Sequence, residues 1–162
     1  MTHQDYMRQA LALAQEAAAA GEVPVGCVIV DKDGQVIGRG RNRREEEKNP
    51  LAHAELDAIA DACRRYGDWR LKGARLYVTL EPCPMCAGAI VNARIPAVYY
   101  GAKDDKAGCC GSVLNLFEER FNHHPRIYGR VLEAECAALL QEIFFNLCAD
   151  LTRFLTRRAR FL

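Results

Sequence analysis

Four residues in two short stretches have the types and the spacing to do chemistry. Leu51-Ala52-His53-Ala54-Glu55 sets a histidine and a glutamate two apart, and Glu81-Pro82-Cys83-Pro84-Met85-Cys86 sets two cysteines three apart behind a proline. One imidazole and two thiolates make a three-ligand set for zinc, one ion per chain, and three protein ligands leave a fourth position open to water, as a catalytic site requires. Glu55 is then free of the metal and available to carry protons. A C-x-x-C alone reads as half of a structural zinc site or as a redox pair, and H-x-E alone says little. The weight lies in the joint pattern and in the elements around it.

Those elements can be read on either side of the motifs. Residues 75–80, Arg-Leu-Tyr-Val-Thr-Leu, are β-branched and aromatic enough for a strand. Pro82 and Pro84 suit a turn into a first helical turn. There Cys83 and Cys86 share a face, and the partial positive charge of the helix start favours thiolate over thiol. His53 follows Asn49-Pro50 and opens a helix from Ala52 to Tyr66, closed by Gly67. Upstream, the spacing of Tyr6, Met7, Ala10, Leu11, Ala14 and Ala17 predicts a helix over Asp5 to Ala20, stopped by Gly21. Val23 to Val30 reads as a buried strand, Asp31 to Gly34 as a turn, and Gln35 to Arg41 as the returning strand of a hairpin. The polar run Asn42 to Asn49 reads mostly as a solvated loop.

Downstream of Cys86 the helix runs to about Ala93 and a strand spans Ala97 to Gly101. Ala102 to Ser112 forms a loop rich in glycine and charge, Val113 to Phe121 reads as a short helix, and Arg126-Ile127-Tyr128 as a weak last strand. From Val131, the positions Leu132, Cys136, Leu140, Ile143, Leu147, Leu151 and Phe154 lie on one face of a long helix. A hairpin followed by alternating helices and strands predicts an α/β fold, a three-layer α/β/α sandwich with helices on both faces of a mixed sheet.

The 162 residues suit one domain spanning 1–162, with a C-terminal helical extension over about 146–162. A formal net charge of +1 excludes an overall field for nucleic acid, so any such surface is local. One candidate is Arg153, Arg157, Arg158 and Arg160, which reads equally as a solvated helix end. The first residues lack a basic n-region and an apolar core, and no apolar run approaches transmembrane length. The eight cysteines are therefore read as reduced, and the protein as cytoplasmic with no membrane partner. Cys27, Cys63, Cys136 and Cys148 fall on apolar faces and read as buried small hydrophobes.

H-x-E followed by P-C-x-x-C is the signature of zinc-dependent base deaminases. From about Tyr6 to Phe145 the sequence resembles the bacterial tRNA-specific adenosine deaminases, whose fold is cytidine deaminase-like. The matching stretches include Glu22-Val23-Pro24-Val25-Gly26, Asn42, Ala52 to Glu55, Thr79 to Ala89, Gly101-Ala102, Gly111-Ser112 and Cys136 to Leu140 before Phe144-Phe145. The resemblance implies a sheet of five strands, of which the residue pattern alone gives four firmly. It implies a homodimer that converts the wobble adenosine of a tRNA anticodon arm to inosine. Asn42 would bind the flipped nucleoside, while Asp104, Lys106 and Phe145 would lie along the RNA path. Backbone N–H groups near Ala54 are candidates to orient the base or the attacking hydroxide. As a lone residue after a strand, Asn42 reads more often as a turn residue.

The sequence departs from the family at two places. Leu51 stands where a small hydroxyl residue is usual, and Asn146 to Asp150 is not basic where the family is basic at once. Three rival readings share the zinc residues: a deaminase of a free nucleobase such as guanine or cytosine, an altered variant acting on single-stranded DNA, and a zinc-stabilised binding module without catalysis. Glu55 speaks against the last, since a structural site has no need of that carboxylate.

Overall fold

In a computed structural model, which describes residues 1–143 and 145, the hairpin closes on Asp31. Its Oδ1 accepts the N–H of Asp33 at 2.9 Å and of Gln35 at 2.8 Å. The side chain thus makes the turn that joins β1 (Gly26–Val30) to the antiparallel β2 (Val36–Arg41). β1 also pairs antiparallel with β3 (Arg75–Leu80); β3 pairs parallel with β4 (Ala97–Ala102), and β4 parallel with β5 (Arg126–Tyr128). The result is one mixed sheet of five strands in the order β2-β1-β3-β4-β5. β1 is buried throughout, which is why its residues are apolar without alternation.

Helices cover both faces, giving the three-layer α/β/α arrangement. On one face α1 (His3–Ala19) packs over β1 and β3, with Met7, Ala10 and Leu11 against Val28, Val30 and Tyr77, and Cys136 of the helical segment 133–143 joins the same cluster. On the other, α3 (Ala54–Tyr66) and α4 (Pro84–Asn92) bury Ala54, Ala58, Ala62, Ala87 and Ile90 against Cys27, Ile29, Leu76 and Val78. Three-residue β5 is held by a row of rings in register, Tyr77, Tyr99 and Tyr128, stacked at 4.8 and 4.7 Å between centroids.

Glycines let α3 lie directly on the backbone of β2. A Cβ at Gly40 would stand 2.2 Å from the carbonyl oxygen of Ala54, and one at Gly38 would stand 2.4 Å from that of Ala58. Gly26 meets α1 in the same way, at 2.0 Å from the carbonyl oxygen of Ala10.

The structure differs from the sequence expectations at several boundaries. α1 starts at His3 because Thr2 and Asp5 form a reciprocal capping box. β1 starts at Gly26, since a turn from Val25 N–H to the Val23 carbonyl occupies the residues before it. The polar run 42–49 contains a helical turn, α2 (Arg44–Glu47), tied down by the buried Glu22, whose Oε1 accepts the Glu46 N–H at 2.7 Å. α3 begins at Ala54 rather than Ala52. Val113 to Phe121 holds only a 3-10 turn, Leu116–Glu118, set by Asn115 Oδ1 accepting the Phe117 N–H. Cys27 and Cys136 are buried, whereas Cys63 is only partly so. Cys148, the extension 146–162 and its four arginines lie outside the described residues. Among the described residues no helix is long and apolar enough to cross a membrane.

Candidate active site

His53 and Cys83 hold equivalent places in the fold. Each is the N-cap of a helix, α3 and α4 respectively, with extended backbone (φ −85°, ψ 151° and φ −77°, ψ 173°), and neither side chain is spent on capping. Pro84 fixes the first helical position of α4, and Cys86 follows in the same turn. The two helix starts therefore bring one imidazole and two thiols together. His53 Nδ1 lies 3.7 Å from Cys83 Sγ and 3.5 Å from Cys86 Sγ, and the three donor atoms all fall within 4.8 Å of one another. A nitrogen and a sulfur at ordinary zinc distances along tetrahedral directions stand about 3.6 Å apart, so this donor set fits that ion.

The electrostatics of the group suit a cation as well. The hydrogen bond from Cys86 pulls the Cys83 thiol down to about 4 against the opposing effect of burial, with His53 adding to the pull. The same hydrogen bond, together with burial, pushes the Cys86 thiol well up. His53 is raised, chiefly by its hydrogen bond to Cys83, with burial opposing. Cys83 is thus disposed towards thiolate and Cys86 towards thiol, and a metal ion held there would favour thiolate at both.

Glu55, in the first turn of α3, is only 4% exposed. Burial pushes its carboxyl up to about 7, and the nearby Cys83 charge adds to the rise; hydrogen bonds from its own backbone N–H and from Cys86, and the charge of His53, oppose it. Burial and a carboxyl raised towards neutrality, beside three groups that could hold a metal ion, make Glu55 a candidate proton carrier.

These groups form the floor of a cavity of about 520 Å³, lined by His53, Glu55 and Cys83. Asn42, Ala54, Asp104 and Lys106 line the same cavity; Phe145 is exposed and is not among the lining residues described. Asn42 is buried, its Nδ2 donating to the Val23 carbonyl at 3.2 Å. Residues passed over in the sequence also face the cavity. Arg44 comes from the polar run read as a solvated loop, Lys103 from the loop after β4, and Leu140 from the helical segment. Nothing local in sequence marks Leu140, because the fold alone brings it to the same cavity as His53. Arg43 does not line the cavity and joins the start of α2 to α3 through an ion pair with Asp57 at 2.6 Å.

The MafB19-like deaminase family model matches residues 1–148. The chain is 50% identical over 143 residues to the tRNA-specific adenosine deaminase of Bacillus subtilis, covering 88% of each. Among solved structures it is similar to one described in work on A-to-I editing by tRNA:A34 deaminases at the wobble position of transfer RNA, with a TM-score of 0.79 and 46% identity over 83% of this chain and 98% of that one. Guanine deaminase from Bacillus subtilis is more distant, at a TM-score of 0.62 and 36% identity over 79% of this chain and 84% of that one. Fold and centre together define a hydrolytic deaminase. The chain belongs to the tRNA-specific adenosine deaminase family, within the MafB19-like deaminases.

Proposed function

We propose that the chain deaminates adenosine to inosine at the wobble position of a tRNA anticodon, with zinc held by His53, Cys83 and Cys86 and with Glu55 as the proton carrier. The observation that carries this reading is the buried Glu55 carboxyl beside the three donor atoms, on the floor of a cavity with Arg44, Lys103 and Lys106 on its walls. When bound, zinc supplies Lewis acidity that makes water a nucleophile near neutral pH.

Glu55 takes a proton from the attacking water and delivers it to N1 of adenine as the new C–O bond forms at C6. It then takes the proton of the new C6 hydroxyl and delivers it to the amino group as the C–N bond breaks and the C6 carbonyl forms, so that water and adenosine give inosine and ammonia. Ala54 opens α3, so its backbone N–H has no partner within the helix, and it is assigned to hold the base. The buried Asn42 amide faces the same space and is assigned to the nucleoside. Asp104 and Lys106, which line the same cavity, and Phe145, which is exposed, are assigned to the flanking nucleotides, where a splayed base can stack on an aromatic ring.

Because stacking hides C6 in a duplex, the target is a loop base. The test compares an anticodon stem-loop containing adenosine with free adenosine, adenine, guanine, cytosine and single-stranded DNA under one set of conditions. Inosine should form in the stem-loop, with little turnover of the small molecules. Binding should weaken steeply with salt, and weaken further after Arg157 and Arg158 are replaced by alanine. Fast turnover of guanine with an inert stem-loop would overturn the RNA reading in favour of the free-base one. Failure of the arginine arm alone would return those residues to a solvated helix end.

A homodimer is part of the same proposal. Val113 and Leu114 are exposed side by side next to the loop that follows β4, as an apolar contact with a second copy would use. Sedimentation that gives a monomer at micromolar concentration would remove it. The described cysteines are all free thiols, which suits a reducing, cytoplasmic setting.

A further inference from the structure

Glu81 is a buried carboxylate whose side-chain partners all come from one loop. It is 2% exposed and stands two residues ahead of Cys83. Its Oε1 accepts the N–H of Cys110 at 2.8 Å and of Ser112 at 3.1 Å, and its Oε2 accepts the N–H of Asp104 at 3.0 Å and the hydroxyl of Ser112. The segment 103–112 has no helix or strand of its own beyond a single bridge at Cys110; Asp104 takes the N–H groups of Lys106, Ala107 and Gly108 within the loop, and other N–H groups find partners outside it. Glu81 supplies three of them, and the next residue supplies a fourth, since the Pro82 carbonyl accepts the Cys109 N–H at 2.9 Å. Gly108 passes so close that a Cβ there would stand 2.4 Å from the Glu81 carboxyl carbon. Asp104 to Ala107 of this loop form one wall of the cavity, and Cys83, two residues beyond Glu81, forms part of its floor.

We propose that Glu81 is a positioning residue for the deamination. It ties the wall at Asp104–Ala107 to the turn that carries Cys83, so that wall and floor keep a fixed separation. Its loss then changes how tightly the nucleotide is held more than how fast the held nucleotide reacts. The proposal rests on the deaminase function given above. Glu81 also lines the cavity, but its side-chain hydrogen bonds all go to the loop of the outer wall and none to the inner part, Glu55 with the three donor atoms.

The test uses the zinc-loaded full chain with Glu81→Gln, which keeps the side-chain size but sets an amide against N–H donors, and Ser112→Ala, which keeps the carboxylate and deletes one donor. In Glu81→Gln the amides of Asp104, Cys110 and Ser112 should exchange hydrogen about ten- to a hundredfold faster, with α3 and β1 unchanged. KM for the stem-loop should rise about tenfold while kcat per zinc-loaded chain stays within about threefold. Ser112→Ala should move both in the same direction by less. Unchanged exchange in the loop would overturn the proposal, as would faster exchange with an unchanged KM, or a fall in kcat alone. A parent chain inert on the stem-loop would sink the functional reading and this proposal with it. If Glu81→Gln does not fold, Ser112→Ala decides by the same two readouts.

Discussion

Glu55→Ala should leave a folded, zinc-loaded protein that has lost about 10²–10⁴-fold in kcat, the usual worth of a positioned proton carrier. The carboxyl is not one of the three donor atoms, so metal content should hold while turnover falls. Zinc analysis and single-turnover kinetics on the same preparation check both halves, and deamination at the parent rate would remove Glu55 from the mechanism. The metal-free protein offers an independent readout of the same group. Burial raises the Glu55 carboxyl from its ordinary 4.5 to about 7, so the folded state holds that proton more tightly than the unfolded chain does. Stability is therefore lost as pH climbs from the lower value through the higher. Glu55→Gln carries no such cost, so the metal-free variant should be more stable than the metal-free parent at pH 8 and lose that advantage near pH 4. Denaturant titrations at the two pH values measure the difference. Gain of stability with loss of turnover is what a functional group held against its own solvation preference produces.

Replacing Cys83 and Cys86 together by alanine should take zinc from about one ion per chain to none, and turnover with it. Cys83 holds its thiol proton weakly and Cys86 holds its own tightly until a cation replaces it. The pair is thus one binding unit, and a lone imidazole at His53 is a weak site. Elemental analysis of purified protein gives the answer directly. Stoichiometric zinc surviving the double substitution would place the ion elsewhere.

The grouping of His53, Glu55, Cys83 and Cys86 was legible in the sequence because it is local. His53 and Glu55 sit two apart at one helix start, and Cys83 and Cys86 three apart at another, with prolines marking the turn. The strands behind them were legible for the same reason, since Arg75 to Leu80 and Ala97 to Gly101 are short, apolar and bounded by turn residues. What escaped depended on contacts made far along the chain. The turn of helix at Arg44–Glu47 is tied down by Glu22, more than twenty residues earlier, and a polar run carries no periodicity that announces it. Val113 to Phe121 had apolar residues enough for a helix, but Cys110 and Ser112 are drawn to Glu81, and the chain makes only a 3-10 turn at Leu116. Arg44 and Leu140 reach the cavity through the fold and not through any motif.

Gly26, Gly38 and Gly40 bear on how this protein can diverge. α3 rests on β2 through main-chain atoms, so the height of His53 and Glu55 above the sheet is set by the radii of backbone oxygen and nitrogen. The side chains that α3 turns towards β2 are correspondingly small, Ala54, Ala58 and Ala62. At Gly40 itself drift has no first step. The smallest possible addition, one methyl group, lands 2.2 Å from the carbonyl oxygen of Ala54, the residue between His53 and Glu55.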